Sequence, residues 1–384
     1  MRVLFLNNIP SPYRVDFFDE LGKSCELTVL FERDQASDRD KRWKSKTSSY
    51  YNAVFLKGKK LGADGAFCPG VISWLDKRKF DIFVIGCYST PTSMLAIEVL
   101  KLKNIPFVLN ADGGFLKKDS KFKYMLKKHF ISSAKWWLST GKSTTQYLCH
   151  YGANKENTFT YPFTSIWEKE VLKKHLTKEE KLAIRRELGI NGKKVAISVG
   201  QLIHRKGYDL LLRAWEKVDK EFELLIIGSG EDKESLEKLK EEKEIHSITF
   251  IDFKTKEELK KYYLAADIFI LPTREDIWGL VVNEAMAYAL PVITTDRCIA
   301  GLELINQGEN GYLLKIDELQ HLSSYVEAIL ENEKALYQIA QNNLEKIKEY
   351  TIENMAKEHL DFLKKVTIQE EKNENTGNRT YRKR

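Results

Sequence analysis

The sequence is poor in the residues that cross-link or stiffen a chain. Its five cysteines are odd in number, lie far apart and include no CxxC pair, which argues against a disulfide framework and against a zinc site. Only eight of the 384 residues are proline, whereas 43% are apolar, so we expect most of the chain to fold, in two domains of ordinary size. A reducing, cytoplasmic setting fits this composition.

Long apolar runs are also missing. No run approaches the roughly 18 residues that a membrane-spanning helix needs. The amino-terminal MRVLFLNNIP holds about five apolar residues before Asn7, too few for the core of a signal peptide. We therefore expect any contact with a membrane to be made from its surface. The net charge of +7 favours phosphates, nucleic acid or an anionic membrane surface as partners, without choosing among them.

Short runs rich in β-branched and aromatic residues alternate with helical stretches, in two series along the chain. Strands buried on both faces and separated by helices indicate a parallel sheet. The sequence thus predicts an α/β fold of two Rossmann-like, doubly wound domains. The predicted strands are 1–6, 25–32, 80–86 and 106–114, then 193–200, 222–230, 247–252, 267–272 and 291–296.

Breaks in these patterns predict the domain boundaries. Pro162 interrupts both patterns within YPFTSI (161–166), so we predict an amino-terminal domain over 1–166 and a second domain over 167–347. A carboxy-terminal helix over 348–366 is expected to pack back on the first domain. The polar tail 367–384 has few large aliphatic residues and is predicted to be disordered.

Three short motifs resemble ligand sites. In Gly141-Lys142-Ser143-Thr144 the first glycine of a P-loop is replaced by Trp136, so we interpret it as a turn and helix start. Gly228-Ser229-Gly230 lacks the third glycine of a dinucleotide fingerprint, and either a close approach to a base or phosphate or a plain turn fits it. Asp38-Arg39-Asp40 lies in a hydrophilic run that is typical of a solvated loop, and we predict no metal site.

The stretch LPTREDIWGLVVNEAMAYALP (271–291) follows a predicted buried strand. In open α/β sheets, ligands bind beyond the carboxyl ends of the strands. Gly279 would let backbone approach a ligand, and the amides of the helix that it opens could bind an anion, most simply a phosphate.

The spacing of two acids in this stretch adds a second constraint. If the segment from Asp276 to Glu284 were helical, its eight steps would span about 12 Å, whereas a hydrolytic carboxylate pair is roughly 5 to 9.5 Å apart. A nucleotide sugar, with ribose and sugar on either side of a diphosphate, fits the wider spacing. Alternatively, Asp276 caps the helix and Glu284 is a surface acid. Glu284, however, shares a helical stripe with Ile277, Leu280 and Val281, where an unpaired carboxylate would be costly to bury.

Basic residues lie near a second strand end. Gly200 follows the strand of VGQLIHRKGYDLLLRAW (199–215), and Arg205 and Lys206 precede the next helix. Their charge could offset a departing diphosphate, with Arg274 and Arg297 as further candidates, although each alone is more often a surface cation.

These motifs resemble the GT-B retaining glycosyltransferases of family 4, most strongly over 199–314 and also at NNIPSPYRVDFF (7–18). The resemblance implies two Rossmann-like domains facing a central cleft, an acceptor-binding amino-terminal domain and a nucleotide-diphosphate sugar as co-substrate, with UDP-sugar favoured over GDP-sugar. It also implies retention of anomeric configuration, no metal and no cofactor.

The family pattern of two glutamates separated by seven residues falls on Asp276 and Glu284, with Glu275 beside the first. The resemblance implies that Asp276 or Glu275 contacts the donor sugar and that Glu284 holds the ribose hydroxyls. Lys206 matches the family's diphosphate lysine, but Gln201 replaces its arginine. The remaining donor-binding residues predicted on this basis are Arg205, Arg274, Gly200, Gly228, Gly279, Leu280 and Val281.

In many members of the family a histidine near the transferred sugar follows the strand that here reads FVLNADGGF (107–115). This chain has Asn110 and Asp112 but no histidine there, so we predict that Asp112 takes that catalytic place. A turn residue before Gly113 and Gly114 is the alternative.

The segment 117–137 holds seven lysines and one aspartate, interleaved with aromatic residues. Such a helix could lie on an anionic membrane, on the inner face of the cytoplasmic membrane, and similar enzymes act on lipid-linked acceptors. A solvated helix that packs its aromatics on the core is the alternative. The predicted contacts with acceptor or membrane are Arg14, Lys121, Lys127, Lys128 and Trp136.

The predicted function is transfer of a sugar from a nucleotide to a glycan or lipid-linked acceptor in the synthesis of surface polysaccharides such as capsule or lipopolysaccharide. A nucleotide-sugar epimerase or a soluble sugar-phosphate synthase would share the fold. A basic nucleic-acid-binding protein would need base-stacking motifs that the sequence lacks, so no nucleic acid partner is expected.

Overall fold

The computed structural model describes residues 1–35, 50–62, 64–192, 194–219 and 221–381, with side chains as far as residue 372. Contacts divide the chain into two compact units: unit 1 comprises Met1–Phe163 and Ile352–Arg384, and unit 2 comprises Thr164–Thr351. The boundaries predicted from the sequence, after residues 166 and 347, lie three and four residues from the ends of these units at residues 163 and 351. The alternative metal site at Asp38 and Asp40 lies outside the described residues.

Unit 1 is built on a parallel sheet of short strands in the order β3-β2-β1-β6-β7-β8-β9. The inner strands are buried, whereas the edge strands β3 and β9 are partly exposed. Leu4 of β1 pairs with Thr28 of β2 on one side and with Phe83 of β6 on the other. An antiparallel hairpin, β4-β5, lies apart from this sheet. The strands are β1 (Arg2–Asn7), β2 (Glu26–Phe31), β3 (Asn52–Phe55), β4 (Lys59–Leu61), β5 (Gly65–Phe67), β6 (Ile82–Ile85), β7 (Val108–Ala111), β8 (Trp136–Ser139) and β9 (Thr158–Thr160).

The helices of unit 1 begin at recognisable signals. Proline is the first residue of α1 (Pro12–Gly22) and α2 (Pro91–Leu102), where its missing N–H costs nothing. Ser120 caps α3 (Lys121–Ile131) by accepting from the Lys123 amide. The helix α4 (Lys142–His150) begins directly after Gly141, which confirms the turn and helix start at the GKST motif.

Unit 2 repeats the plan with a parallel sheet in the order β12-β11-β10-β13-β14-β15. Successive strands are added on one side of the central pair from β10 to β12 and on the other side from β13 to β15, so the strand order reverses between β10 and β13. Thr255 and Glu258 form a capping box at the start of α8. The elements are α5 (Lys178–Leu188), β10 (Lys194–Val199), α6 (Tyr208–Trp215), β11 (Phe222–Ile227), α7 (Lys233–Glu242), β12 (Ile248–Ile251), α8 (Lys256–Ala265), β13 (Ile268–Leu271), α9 (Leu280–Ala287), β14 (Val292–Thr295), α10 (Ile299–Leu304), β15 (Gly311–Leu314), α11 (Leu322–Glu331) and α12 (Glu333–Ile347).

The last helix, α13 (Ile352–Tyr381), belongs to unit 1. Its His359 ring packs 4.6 Å from Phe17 of α1, and its Phe362 ring packs 4.8 Å from Phe159 of β9. The backbone stays helical through residue 381, which differs from the disordered tail predicted from residue 367. Extending an anchored helix adds one hydrogen bond per residue without a new nucleation cost, so a polar sequence is enough to continue it.

Candidate functional site

The carboxyl ends of β10, β11 and β13 meet where the strand order of unit 2 reverses, which is where ligands bind in such sheets. Gly200 follows β10 and Gly228 follows β11. A Cβ on Gly228 would lie 1.9 Å from the Gly200 carbonyl oxygen. Gly228 is therefore required for the two loops to pack, whether or not a ligand touches it, whereas a Cβ on Gly200 would closely approach only the Tyr208 hydroxyl among the described residues, at 2.9 Å.

An ion pair joins the loop after β10 to the loop after β13. Lys206 and Asp276 are only 9% and 8% exposed, and the Lys206 ammonium donates to Asp276 Oδ2. Arg205 Nη1 lies 3.9 Å from the other carboxylate oxygen of Asp276 and donates to the Glu275 carbonyl at 2.7 Å. Three predicted site residues are thus brought together. Asp276 does not cap helix α9, because Gly279 occupies the cap position.

Arg274 is held by a partner that the sequence analysis missed. Its guanidinium donates to both oxygens of Asp209, at 2.6 and 2.7 Å, and to the His204 carbonyl at 2.9 Å. Burial would raise the pKa of Asp209, but the Arg274 charge outweighs it, and the pKa lies below its usual value. Arg274 therefore clamps the two loops together. The fourth predicted cation, Arg297, has a side chain that is 54% exposed and lies 3.5 Å from Asp296.

Gly279 opens helix α9 with φ of 99°, a conformation that favours glycine. A Cβ there would also lie 2.7 Å from the Cys298 sulfur. A backbone hydrogen bond from the Asp276 amide to the Arg297 carbonyl, at 2.8 Å, holds the loop after β13 against the loop after β14. Cys298 is fully buried, its thiol donates to the Trp278 carbonyl at 3.1 Å, and burial raises its pKa to about 12, as expected of a packing residue.

Glu284 lies on α9, four residues after Leu280, and is surrounded by polar side chains. Ser165 Oγ donates to Glu284 Oε1 at 3.1 Å, and Tyr263 Oη donates to Oε2 at 3.0 Å. Burial raises the pKa of Glu284, and the nearby Lys256 charge offsets part of that rise. Because segment 276–279 is a loop, the helical stripe assumed for Ile277 does not exist, and Ile277 is 52% exposed. Leu280 and Val281 are half-buried beside Glu284.

In unit 1, Asp112 follows β7 and accepts from one side chain of that strand and from side chains of two other segments. Its Oδ1 accepts from Asn110 Nδ2 and from Tyr161 Oη, each at 3.1 Å, and from Arg14 Nη2. Arg14 is 1% exposed, which contradicts the predicted contact with acceptor or membrane. The motif SPYR places Arg14 on the inward face of α1, where its charge is matched by Asp112.

Helix α3 presents the basic segment to solvent. Phe122, Met125 and Leu126 are 79%, 61% and 38% exposed, and Lys121 and Lys128 are exposed beside them. Lys127 instead binds Asp119 at 2.8 Å, with its ammonium 4.8 Å from the Tyr151 ring centroid.

Trp136 is not part of this helix. It pairs with Val108 in the interior of the sheet and is 3% exposed, so the prediction that it contacts a membrane is wrong. The run Trp136–Ser139 is buried on both faces as strand β8. Its short apolar sequence, which follows the small residues Ser132 to Ala134, could have predicted a strand at this position.

No group of three or more His, Cys, Asp or Glu side chains within the described part of the chain is arranged to hold a metal ion. Across those same residues, no helix combines the length and apolar character needed to cross a bilayer.

The family model for the group 1 glycosyl transferases matches residues 180–371. An uncharacterized glycosyltransferase of Methanocaldococcus jannaschii is 27% identical over 302 residues, which cover 74% of this chain and 75% of that protein. The alpha-monoglucosyldiacylglycerol synthase of Acholeplasma laidlawii is 27% identical over 314 residues, covering 75% and 77%.

Solved structures share the fold at low sequence identity. Anabaena HepE in complex with UDP and glucose superposes with a TM-score of 0.74 at 15% identity, covering 95% of this chain and all of that one. Sucrose-phosphate synthase from Thermosynechococcus elongatus gives 0.75 at 16%, covering 96% and all of that chain. The two parallel sheets, the similarity to solved GT-B structures and the match to the family model all indicate the same family. The chain belongs to the group 1 glycosyl transferases, enzymes of the GT-B fold that transfer sugars.

Proposed function

We propose that this enzyme is a retaining glycosyltransferase of family 4 that moves a sugar from a nucleotide-diphosphate sugar, preferably a UDP-sugar, to a glycan or lipid-linked acceptor in surface polysaccharide synthesis. The observation that carries the proposal is the Lys206–Asp276 pair at the strand-order reversal of unit 2, with Glu284 on the helix that follows.

The geometry suits a diphosphate. Among the described residues Lys206 donates to one carboxylate, that of Asp276, which leaves two of its ammonium hydrogens for phosphate oxygens. Arg205, with a side chain that is 39% exposed, supplies a second charge close by. As the bond between the anomeric carbon and the phosphate oxygen breaks, these cations stabilise the leaving diphosphate. The acceptor oxygen bonds to the same face of the sugar, and its proton passes to the leaving phosphate.

Glu284 suits the ribose. Each of its oxygens already accepts one hydroxyl from the protein, and a carboxylate oxygen can accept a second. The relatives support the donor class, because HepE was solved with UDP and glucose.

A nucleotide panel tests the donor. UDP, GDP, ADP and their sugars would be titrated while the melting temperature is followed, since a ligand of the folded state raises it. We expect the largest shift with UDP compounds, and Lys206→Ala to weaken UDP binding about tenfold or more, the worth of a charge-assisted contact. Lys233→Ala, a lysine of the same unit whose ammonium pairs with Asp252, is the matched control. Absence of a shift with every nucleotide would contradict the proposal.

Exposed apolar residues on α3 support an acceptor at an anionic membrane, on the cytoplasmic face. Phe122 and Met125 stand in a row with basic neighbours, as in helices that lie in the bilayer interface. The Acholeplasma relative, named for a glycolipid product, is consistent with this.

Vesicle co-sedimentation tests the membrane contact. We expect binding to vesicles with anionic lipid that exceeds binding to neutral ones and falls when Phe122→Ser and Met125→Ser are combined. Leu102→Ser, at a residue of α2 that is 81% exposed, should change nothing. Equal binding to both vesicle types would remove the membrane from the proposal.

A soluble sugar phosphate is the second candidate acceptor, favoured by the similarity to sucrose-phosphate synthase. Transfer from the selected donor to fructose 6-phosphate, unaffected by the α3 substitutions, would establish it in place of the membrane acceptor.

A further inference from the structure

A buried cation in unit 1, Arg14, has a single charged partner among the residues that the structure describes. Arg14 is 1% exposed, and the centroids of the Phe5, Tyr13, Phe17 and Phe163 rings lie 5.6 to 6.0 Å from its guanidinium carbon. Its Nε and Nη1 have no hydrogen-bond partner among the described residues, whereas Nη2 donates to Asp112. Aromatic faces accommodate a cation but do not neutralise it, so Asp112 supplies the opposite charge that the buried guanidinium needs.

The two oxygens of Asp112 are in different situations. Oδ1 accepts from Arg14, Asn110 and Tyr161. Burial and the Asp112 charge raise the pKa of Tyr161 well above its usual value, so the phenol keeps its proton and donates. Oδ2 has no hydrogen bond among the described contacts, and the Asp112 side chain is 33% exposed. One oxygen fixes the carboxylate, and the other faces solvent at the carboxyl end of β7.

Helix α13 completes this arrangement from the other end of the chain. His359 is fully buried, with Nε2 3.0 Å from Asn110 Oδ1 and Nδ1 2.8 Å from the Met355 carbonyl. Burial, with a further contribution from the Arg14 charge, lowers the pKa of His359 to about 3. The imidazole is therefore neutral and adds no second cation. With a single N–H it can donate to only one of these two oxygens, and in the tautomer that carries the proton on Nε2 it donates to Asn110 Oδ1 and orients the amide that in turn donates to Asp112.

We propose that Arg14, Asn110 and His359 are positioning residues that hold Asp112 as a fixed anion, whose Oδ2 accepts a hydrogen bond from a hydroxyl of a sugar substrate. Three donors, one of them a guanidinium, occupy Oδ1, so Oδ2 is the oxygen that a sugar hydroxyl can reach. This inference rests on the proposed function, because it requires a sugar substrate.

The sugar could come from the donor or from the acceptor, and two probes distinguish them. Thermal shifts would be compared for UDP alone and for UDP-glucose, UDP-galactose and UDP-N-acetylglucosamine, which isolates the contribution of the transferred sugar. Octyl glucoside represents an acceptor sugar. We expect the wild-type protein to show a sugar-dependent response with one of these probes. Asp112→Asn, Arg14→Gln and His359→Leu should each weaken the affinity behind that response about tenfold, which corresponds to the loss of one hydrogen bond to a charged group.

Conservative and packing variants separate positioning from stability. His359→Gln keeps an amide in reach of Asn110 and should restore the sugar response to within about threefold, while UDP affinity stays unchanged in every variant. Phe17→Leu removes packing against both Arg14 and His359, and should lower the melting temperature without changing the sugar response.

The outcomes are distinct. A wild-type protein that binds UDP but shows no sugar-dependent response overturns the inference, as does a response that survives His359→Leu. A wild-type protein that binds no nucleotide overturns the proposed function, and this inference with it.

Discussion

Strand β13 of unit 2 has a carboxylate at each end, and cations hold the two carboxylates in different ways. Asp267, just before the strand, accepts from Lys181 at 3.1 Å, from Arg185 at 2.5 Å and from the Val195 amide at 2.9 Å. Asp276, beyond the other end, accepts from Lys206, while Arg205 lies 3.9 Å away.

The cations at the amino end are also satisfied by backbone. Lys181 donates to the Ala266 carbonyl and Arg185 to the Ala265 carbonyl, both at 2.7 Å. Burial would raise the pKa of Asp267, but these two cations keep it below its usual value. Every charge in that cluster is used within the fold. At the carboxyl end, within the described part of the chain, Lys206 donates only to Asp276. We therefore expect similar ion pairs to support stability at one end and ligand binding at the other.

The largest effect is expected from breaking the amino-end cluster. Asp267→Asn leaves two buried cations without their anion and should lower the free energy of unfolding by about 3–5 kcal/mol, as measured by urea denaturation. The fraction that remains folded should bind UDP as the wild type does. A loss below about 1 kcal/mol, within the range of an exposed pair, would show that the two ends do not differ as described.

Asp276→Asn should cost less stability, about 1–2 kcal/mol, because the amide still accepts from Lys206 and water reaches the loop ends. Its main effect should be on transfer from the donor, with kcat/KM reduced about 100-fold or more, as for loss of a group that acts in the transition state. Glu275→Gln is the matched comparison, since it changes the neighbouring acid. If that variant lost more activity than Asp276→Asn, Glu275 would be the acid that faces the donor sugar.

The smallest effect on stability is expected at Glu284, whose hydrogen-bond donors among the described residues are the uncharged Ser165 and Tyr263. Its pKa in the folded protein is raised above 4.5, so the folded state binds a proton more tightly than the unfolded state. Stability is therefore lost as the pH rises from about 4.5 through the folded pKa. Glu284→Gln should remove that loss, and the free energy of unfolding of this variant relative to the wild type should increase between pH 4 and pH 7. A pH-independent difference would contradict the assignment.

Local patterns predicted strands β1, β2, β6 and β7 of unit 1 and β10 to β14 of unit 2, but they missed β3 to β5, β8, β9 and β15. The strands predicted at 193–200 and 267–272 correspond to β10 and β13, because buried apolar strands that alternate with helices have few other arrangements. The Lys206–Asp276 pair was foreseen only as two separate candidates, since each follows its own strand and only the parallel order places those strands side by side.

Contacts between distant segments were not predictable. The pairing of Arg14 with Asp112 joins residues 98 positions apart, and that of Asn110 with His359 joins residues 249 apart. No periodicity in one sequence encodes such a partner. A cation within an apolar helix face was nevertheless a signal, because a buried charge requires an opposite one, and the motif SPYRVDFF has that form.

The assignment of α13 to unit 1 has a consequence for how the chain is made. Unit 2 is continuous from residue 164 to 351, whereas unit 1 lacks Met355, His359 and Leu363, all fully buried, until α13 has been added. Domains usually fold in the order of their synthesis. Here the second unit can close while it emerges from the ribosome, and the first must keep part of its core open until the last helix arrives.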